Sequence, residues 1–367
     1  MRIAMIGTRG VPARYGGFET AIEEVGSRLA ARGHEVIVYC RNPNQELRSH
    51  RGMQLVNLPA IRRRALETIS HAGMSVGHSV LRSRPDVAVV FNSANAPYLP
   101  ILKAAGIPVA VHVDGLEWKR AKWAGAGATY YRRAESWSVH WADAVIADAH
   151  GIVDHIRREY GVESTYIPYG ADILAPGAEK LAKFGIAARE YHLVVARFEP
   201  ENHVLEIVGG YASSTARFPL VVVGSAPYAD RYSDSVRAYA AHDLRISFLG
   251  AVWDQNALNE LYGNALSYLH GHSVGGTNPS LLRALGAGAP VTAHDNVFNR
   301  EVTGGHGRFF RSTEDVRACV EEDEKSVEAS LVRGELGRVH VSSMYRWDDV
   351  ASQYEALCCA LHLGQRS

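Results

Sequence analysis

Residues 2–40, "RIAMIGTRGVPARYGGFETAIEEVGSRLAARGHEVIVYC", decide the fold. A short apolar run, "RIAMI", leads into a glycine-bearing loop. An amphipathic segment follows, "FETAIEEVGSRLAARG", whose closing Gly33 suits a helix C-terminus, and then a second apolar run, "HEVIVYC". This is a strand–helix–strand unit, and the loop at the carboxyl end of its first strand is where such a unit holds a ligand. A dinucleotide fingerprint would read G-x-G-x-x-G across that junction. The glycines fall instead at Gly7, Gly10, Gly16 and Gly17, a spacing that argues against a nicotinamide-dependent dehydrogenase. Arg9 and Arg14 bracket the loop, and with Gly16 and Gly17 entering the helix they describe a helix start that faces an anion.

The same alternation continues outward. "QLVNL", a helical stretch near 66–83, "DVAVVF", a helix near 95–105, "PVAVHV", a helix near 128–140 and "DAVIAD" complete a first series. Valine-rich runs between helices predict a parallel sheet covered on both faces. The pattern pauses in "YIPYGADILAPGAEK", a Pro/Gly-rich linker. It restarts with "YHLVVARFEPEN", "FPLVVVGSAP", "RISFLGAV", "ALSYLHGHS" and "PVTAHD", each followed by a helix. The expected fold class is therefore α/β, with two doubly wound Rossmann-like domains facing across a cleft. Their bounds are 1–170 and 175–345, and a last helix, 347–363, packs back on the first domain.

Bulk composition excludes more than it assigns. The 367 residues are 47% hydrophobic and 21% charged, and 39 Lys/Arg balance 39 Asp/Glu, so nothing points to nucleic acid. Residues 1–170 nevertheless hold 21 Lys/Arg against 15 Asp/Glu, a net of +6, and the remainder carries −6. A basic first half suits an anionic acceptor or peripheral contact with a membrane, and is equally compatible with two differently charged solvated surfaces. Cys40, Cys319, Cys358 and Cys359 form no C-x-x-C pair, so a reducing cytoplasm is expected, with the protein there or at the inner face of the membrane. No stretch reaches the ~18 apolar residues of a membrane span, and the chain opens directly into a strand. D-x-D and G-x-x-x-x-G-K-[ST] are both absent, which removes the usual acidic metal clamp on diphosphate and P-loop chemistry.

Three loops carry the remaining chemistry. In "LHGHSVGGTNPSLLRALGAGAPV", Gly275, Gly276 and Thr277 precede Asn278, suited to an N-cap, and Pro279, suited to a first helical turn. Backbone N–H groups left free there would face an anion, a diphosphate above all, although an ordinary capped helix reads the same way. Arg197, at the end of "LVVAR", either meets phosphate oxygens or forms a surface ion pair with Glu199 or Glu201. "VHVDGLEWKRAKW" crowds His112, Asp114, Glu117, Trp118, Lys119, Arg120, Lys122 and Trp123 at a strand end. Asp114 and Glu117 suit sugar hydroxyls or proton transfer, and tryptophan stacks on sugar rings; the alternative is an amphipathic surface helix. "IRRRALETISHAGMSVGHSVLRSR" adds Arg62, Arg63, Arg64, Arg82 and Arg84 around an apolar stretch, a solvated helix face or an interfacial segment.

Together, "MIGTRGVPARYGGFET", "HVDGLEWKRAKW", "YIPYGAD", "ARFEPEN" and "HGHSVGGTNPSLLRALGAGAPVTAHDNVFNREV" resemble the GT-B glycosyltransferases. More narrowly they resemble the rhamnosyltransferase-like branch of the family 4 retaining enzymes, in order and over nearly the whole chain. The resemblance implies a nucleotide-sugar donor, dTDP-rhamnose or a UDP-sugar, no cofactor and no metal. It also implies a glycan, lipid-linked or small-molecule acceptor. Donor contacts would come from Arg9, Gly16, Gly17, Arg197, Asn202, His272, Gly275, Gly276, Thr277, Asn278 and Arg283, and acceptor contacts from Glu117, Trp118, Lys119 and Arg120. Asp114, with His112 behind it, would position the acceptor or handle its proton, while Arg197 stabilises the departing diphosphate. Family 4 enzymes usually carry glutamates at the positions of Gly275 and Arg283, the second of them on the ribose, and a phosphate-binding lysine at that of Asn202. Loss of a carboxylate for a cation at Arg283 raises the alternative of a degenerate, non-catalytic partner that keeps the fold.

Overall fold

Branched aliphatic side chains fill the strands because they fit a pleated surface buried on both faces. The computed structural model describes residues 1–13, 16–42, 46–61, 66–113, 115–120, 123, 125–224 and 231–364. The chain divides into two units, Met1–Gly170 with Trp347–Ser367, and Ala171–Arg346.

The first unit runs β1 (Arg2–Ile6), α1 (Gly17–Ala31), β2 (Glu35–Cys40), β3 (Ser49–His50), β4 (Met53–Asn57), α2 (Leu66–His78), β5 (Val87–Phe91), α3 (Leu99–Ala104), β6 (Val109–Val113), α4 (Ala126–Trp141), β7 (Ala144–Ala147), α5 (His150–Tyr160) and β8 (Thr165–Tyr166). Its sheet order is β3-β4-β2-β1-β5-β6-β7-β8. Every pairing is parallel except β3 with β4. Ile3 pairs with Val36 on one side and Val87 on the other. The chain thus leaves β1 in opposite directions, and the β1 loop stands at the topological switch point.

The second unit repeats the plan: β9 (His192–Val195), α6 (Val204–Ala212), β10 (Leu220–Val223), α7 (Arg231–Ala240), β11 (Ile246–Gly250), α8 (Gln255–Gly263), β12 (Ser267–His270), α9 (Pro279–Gly286), β13 (Val291–His294), α10 (Val297–Thr303) and β14 (Gly307–Phe310), then α11 (Thr313–Lys325) and α12 (Val327–Met344). Its all-parallel order is β11-β10-β9-β12-β13-β14. Val194, Ile207, Tyr211, Leu220, Val236, Phe310 and Val316 form one fully buried cluster between the sheet and its helices. The switch point lies between β9 and β12, so the turn after β9 and the loop after β12 emerge side by side.

The last helix, α13 (Trp347–His362), belongs to the first unit. Val350, Ala351, Tyr354, Cys358 and Leu361 are buried. Arg28 pairs with Asp348 at 2.8 Å, and Glu355 accepts from Arg32 and from the His34 ring, both at 2.7 Å. Exposed pairs of this kind contribute about 0–1 kcal/mol, so the apolar face does most to hold the helix. Burial also pushes the Cys358 thiol up to about 12, which makes it a packing group.

Two elements differ from expectation. The helix expected near 95–105 begins as a tight 3₁₀ turn, Ser93–Tyr98, and becomes α-helical only at α3. Pro97 and Pro100 remove backbone donors there, which limits an α-helical ladder. The stretch near 66–83 is α-helical to His78 and then widens into one π turn, Ser79–Ser83, closed by Arg84 at φ 42°.

Candidate functional site

β12 delivers the chain into the loop 271–278. Gly271 is where that loop presses on its neighbour, since a Cβ added there would stand 2.0 Å from the Asn202 carbonyl oxygen. Gly275 adopts φ 124°, open to glycine and costly for other residues. Asn278 caps α9: its side-chain oxygen accepts from the Ser280 N–H at 2.9 Å and the Ser280 hydroxyl at 2.8 Å, with Pro279 in the first turn. A small pocket opens in front of this helix start, lined by His272, Ser273, Gly275, Gly276, Asn278 and, from across the loop, Asn296, Phe298 and Asn299. Thr277 is buried beside it.

Asn296 and Asn299 were not singled out from sequence, yet they fix the loop. Asn296 caps α10 and donates to the His272 carbonyl at 3.1 Å. Asn299 donates to that carbonyl at 2.9 Å and to the His294 carbonyl at 2.8 Å. An asparagine cap followed three residues later by a second asparagine, in "DNVFN", was the available signal.

The β9 turn is stapled to the same loop. Ser273 donates its N–H to the Glu201 carbonyl at 2.9 Å, and its hydroxyl lies 3.0 Å from the His203 ring. Arg197 is partly exposed and makes a loose ion pair with Glu199 at 3.5 Å. Asn202 is buried and donates to the Arg197 carbonyl at 2.8 Å, so its amide closes the turn. Four imidazoles gather here, His203 stacked on His294 at 4.2 Å and His270 on His272 at 4.5 Å. Burial, then the neighbouring His294, pushes His270 down to about 3. Among the described residues, no three His, Cys, Asp or Glu side chains group as a metal set.

Arg283 is engaged elsewhere. Its guanidinium donates twice to Asn259 Oδ1, at 2.8 and 2.5 Å, and to the side chain and carbonyl of Gln255, at 2.9 and 3.0 Å. It also lies 5.8 Å over the Tyr262 ring. The residue braces α9 against α8 and does not line the pocket.

In the first unit, the β1 loop packs through its glycines. A Cβ on Gly7 (φ 106°) would meet the Phe91 carbonyl at 2.2 Å. Gly16, at φ 104°, precedes α1 without a side-chain cap, and Gly17 opens the helix. Glu19, buried in the first turn, accepts the Arg9 N–H at 3.0 Å, so this helix start already carries a carboxylate; the Arg9 side chain is exposed. Arg14 and Arg62–Arg64 lie outside the described residues.

Asp114 also lies outside them. His112, at the end of β6, is 1% exposed, with Nδ1 2.6 Å from the Tyr354 hydroxyl. Phe18, Phe91 and Tyr169 enclose its ring at 5.2, 5.5 and 5.9 Å. Burial pushes it down to about 3, so it is neutral at pH 7 and sits beneath the surface. Glu117 is buried, accepts the Trp123 indole N–H at 3.1 Å and pairs with Arg120 at 2.5 Å. Trp118 donates to Glu135 at 3.2 Å, with Arg132 4.7 Å and Lys119 5.2 Å from its ring. Of these acceptor candidates Lys119 alone is exposed; the polar groups of the other three bind partners within the unit.

Comparison with known proteins bears on both units. The glycosyl transferase 4-like domain family matches residues 16–170. Across the whole chain, the protein is 24% identical to glycogen synthase of Mycobacterium tuberculosis over 408 aligned positions, covering 100% of this chain and 96% of the relative. Sucrose-phosphate synthase from Thermosynechococcus elongatus superposes with a TM-score of 0.84 at 18% identity, covering 99% of each chain. Anabaena HepE, solved in complex with UDP-glucose, gives 0.79 at 15% identity, covering 97% of this chain and 99% of that one. The matched residues 16–170 are thus followed by a second parallel α/β unit, and the two-domain fold matches that of GT-B structures.

Proposed function

We propose that the protein is a glycosyltransferase that moves a hexose from a nucleoside diphosphate donor to an acceptor hydroxyl, with retention and without a metal. One observation carries the proposal. The capped start of α9 opens into a pocket whose wall is the backbone of Gly275 and Gly276, and Arg197 stands on the adjoining turn. N–H groups and a guanidinium at one strand edge suit a departing diphosphate, whose developing charge they would stabilise. Gly276 and Thr277 N–H groups and Arg197 take that role. Asp114 takes acceptor positioning. The acceptor hydroxyl would attack on the face the nucleotide leaves, through an ion-pair-like transition state.

The relatives named above act on or bind glucose-type substrates by their names, which favours a UDP-glucose-type donor over dTDP-rhamnose. The alternative of a non-catalytic partner rested on Arg283. Four hydrogen bonds to α8 give that cation a structural use instead, and catalysis is the better supported reading. No described helix is long and apolar enough to cross a membrane; a lipid-linked acceptor would be met through the basic first unit.

Calorimetric titration with UDP, dTDP and GDP in chelator, followed by UDP-glucose and dTDP-rhamnose, tests the donor. Micromolar binding of one nucleotide, about −8 kcal/mol, supports the site, and no binding to any overturns it. Arg197→Ala should lower kcat/KM by about 10²–10³ with the thermal transition intact. Unchanged turnover would remove Arg197 from the reaction.

A further inference from the structure

The end of β2 holds a cation to which the donor chemistry gives no task. Arg41 follows Cys40, and its backbone N–H donates to the Arg9 carbonyl at 3.0 Å, so two arginines leave adjacent strand ends at the carboxyl edge of the first sheet. Among the described residues the Arg41 guanidinium makes one hydrogen bond, from Nη2 to the Gly7 carbonyl at 3.2 Å. Its Nε–H is buried, and among the described residues it has no acceptor and Arg41 forms no ion pair with any carboxylate. Charged and titratable groups face it from several elements: Glu67 of α2, Arg9 of the β1 loop, Glu19 of α1 and Tyr131 of α4. Burial lowers the Arg41 pKa more than any of these neighbours shifts it. Burial and the Arg41 charge together keep His71 neutral, pushed down to about 4. A mostly buried guanidinium with an idle donor and no paired carboxylate is unfavourable unless an anion completes it.

We infer that Arg41, with Arg9 beside it, forms a phosphate-binding subsite in the first unit. An arginine fork matches phosphate oxygens, and the carboxyl edge of a parallel sheet is where such folds take ligands. If the protein is a transferase, as proposed above, this subsite places a phosphate or diphosphate on the acceptor: either a sugar phosphate in water or a lipid-linked sugar diphosphate. The subsite itself does not depend on that reading.

The test uses the intact protein saturated with UDP, so that the second unit's site is filled. It is titrated with inorganic phosphate, glucose, glucose 6-phosphate and a polyprenyl diphosphate-linked glucose in detergent micelles. Phosphorylated probes should bind at least tenfold more tightly than glucose. Arg41→Gln should lose that preference while its UDP affinity and thermal transition stay at wild-type values, and Arg41→Lys should retain part of it. Tight binding of glucose 6-phosphate identifies a soluble acceptor; preference for the micellar probe alone identifies a lipid-linked one. Equal binding of glucose and its phosphate by the wild type overturns the subsite, as does an unchanged preference in Arg41→Gln. Should UDP not bind, the phosphate preference is read in Arg197→Ala protein, so failure of the donor site and failure of this subsite remain separate results.

Discussion

Replacing Arg283 with alanine separates a brace from a ligand-facing cation. The guanidinium gives Asn259 two hydrogen bonds that share one acceptor, gives Gln255 two more, and covers the Tyr262 ring. Hydrogen bonds to a charged group contribute about 1.5–3 kcal/mol, so the shared Asn259 pair counts as about 2 kcal/mol. Gln255 is exposed, and water replaces much of its loss, leaving about 0.5 kcal/mol. The ring contact adds about 0.5 kcal/mol. Relief from burying the cation, whose pKa burial pushes down, offsets about 1 kcal/mol. The net expectation is a loss of about 2 kcal/mol, or about 1 M in urea midpoint at a slope of about 2 kcal/mol/M. Trp253, the single tryptophan of residues 171–346, lies two positions from Gln255 and reports the transition by fluorescence. UDP affinity should change less than threefold. A midpoint within about 0.2 M of wild type, or a tenfold gain in UDP affinity, would refute the brace.

Two further expectations concern pH and the donor loop. His112 and His270 are held down to about 3 and His71 to about 4, each mainly by burial, against 6.5 for the free ring. Below pH 6.5 the unfolded chain therefore binds more protons than the native state, so stability falls as pH drops from 6.5 toward the folded values and is recovered above 6.5. A series of urea midpoints from pH 7 to 4 should decline, and His112→Asn should flatten the first unit's share; a flat wild-type series would refute the assignment. Gly271→Ala places a Cβ 2.0 Å from the Asn202 carbonyl, which must push the β9 turn and the β12 loop apart. UDP affinity should drop about tenfold or more, about 1.4 kcal/mol, and an unchanged value would mean the two segments do not act as one site.

The architecture was readable because valine-rich strands and amphipathic helices alternate openly: "VAVVF" and "LVVV" became β5 and β10, wholly buried as their composition demands. The glycine pair, Asn278 and Pro279 were readable for a different reason, since cap and first-turn preferences are local. α12 was not readable. The face it buries consists of Ser330, Gly334, Gly337 and Val341, and a Cβ on Gly334 would stand 2.4 Å from the Gly288 carbonyl. A helix that packs through small residues at helical spacing shows little apolar periodicity. The engagement of Arg283 and Glu117 was equally hidden, because both depend on partners brought in by folding. Arg283 finds Gln255 and Asn259 a helix away, and Glu117 takes the indole N–H of Trp123.

The placement of α13 has a consequence for synthesis. The ribosome completes residues 1–170 early, yet the Tyr354 hydroxyl that meets the buried ring of His112 lies 242 residues downstream. The helix carrying it, with the aspartate and glutamate that pair with Arg28, Arg32 and His34, emerges only after the whole of the second unit has been made. During translation the first unit must therefore wait, its α1 face uncovered, while Ala171–Arg346 is made as an uninterrupted stretch of chain. Residues 171–346 are consequently the natural fragment for separate expression, whereas a fragment ending at Gly170 would need α13 supplied on a linker or in trans.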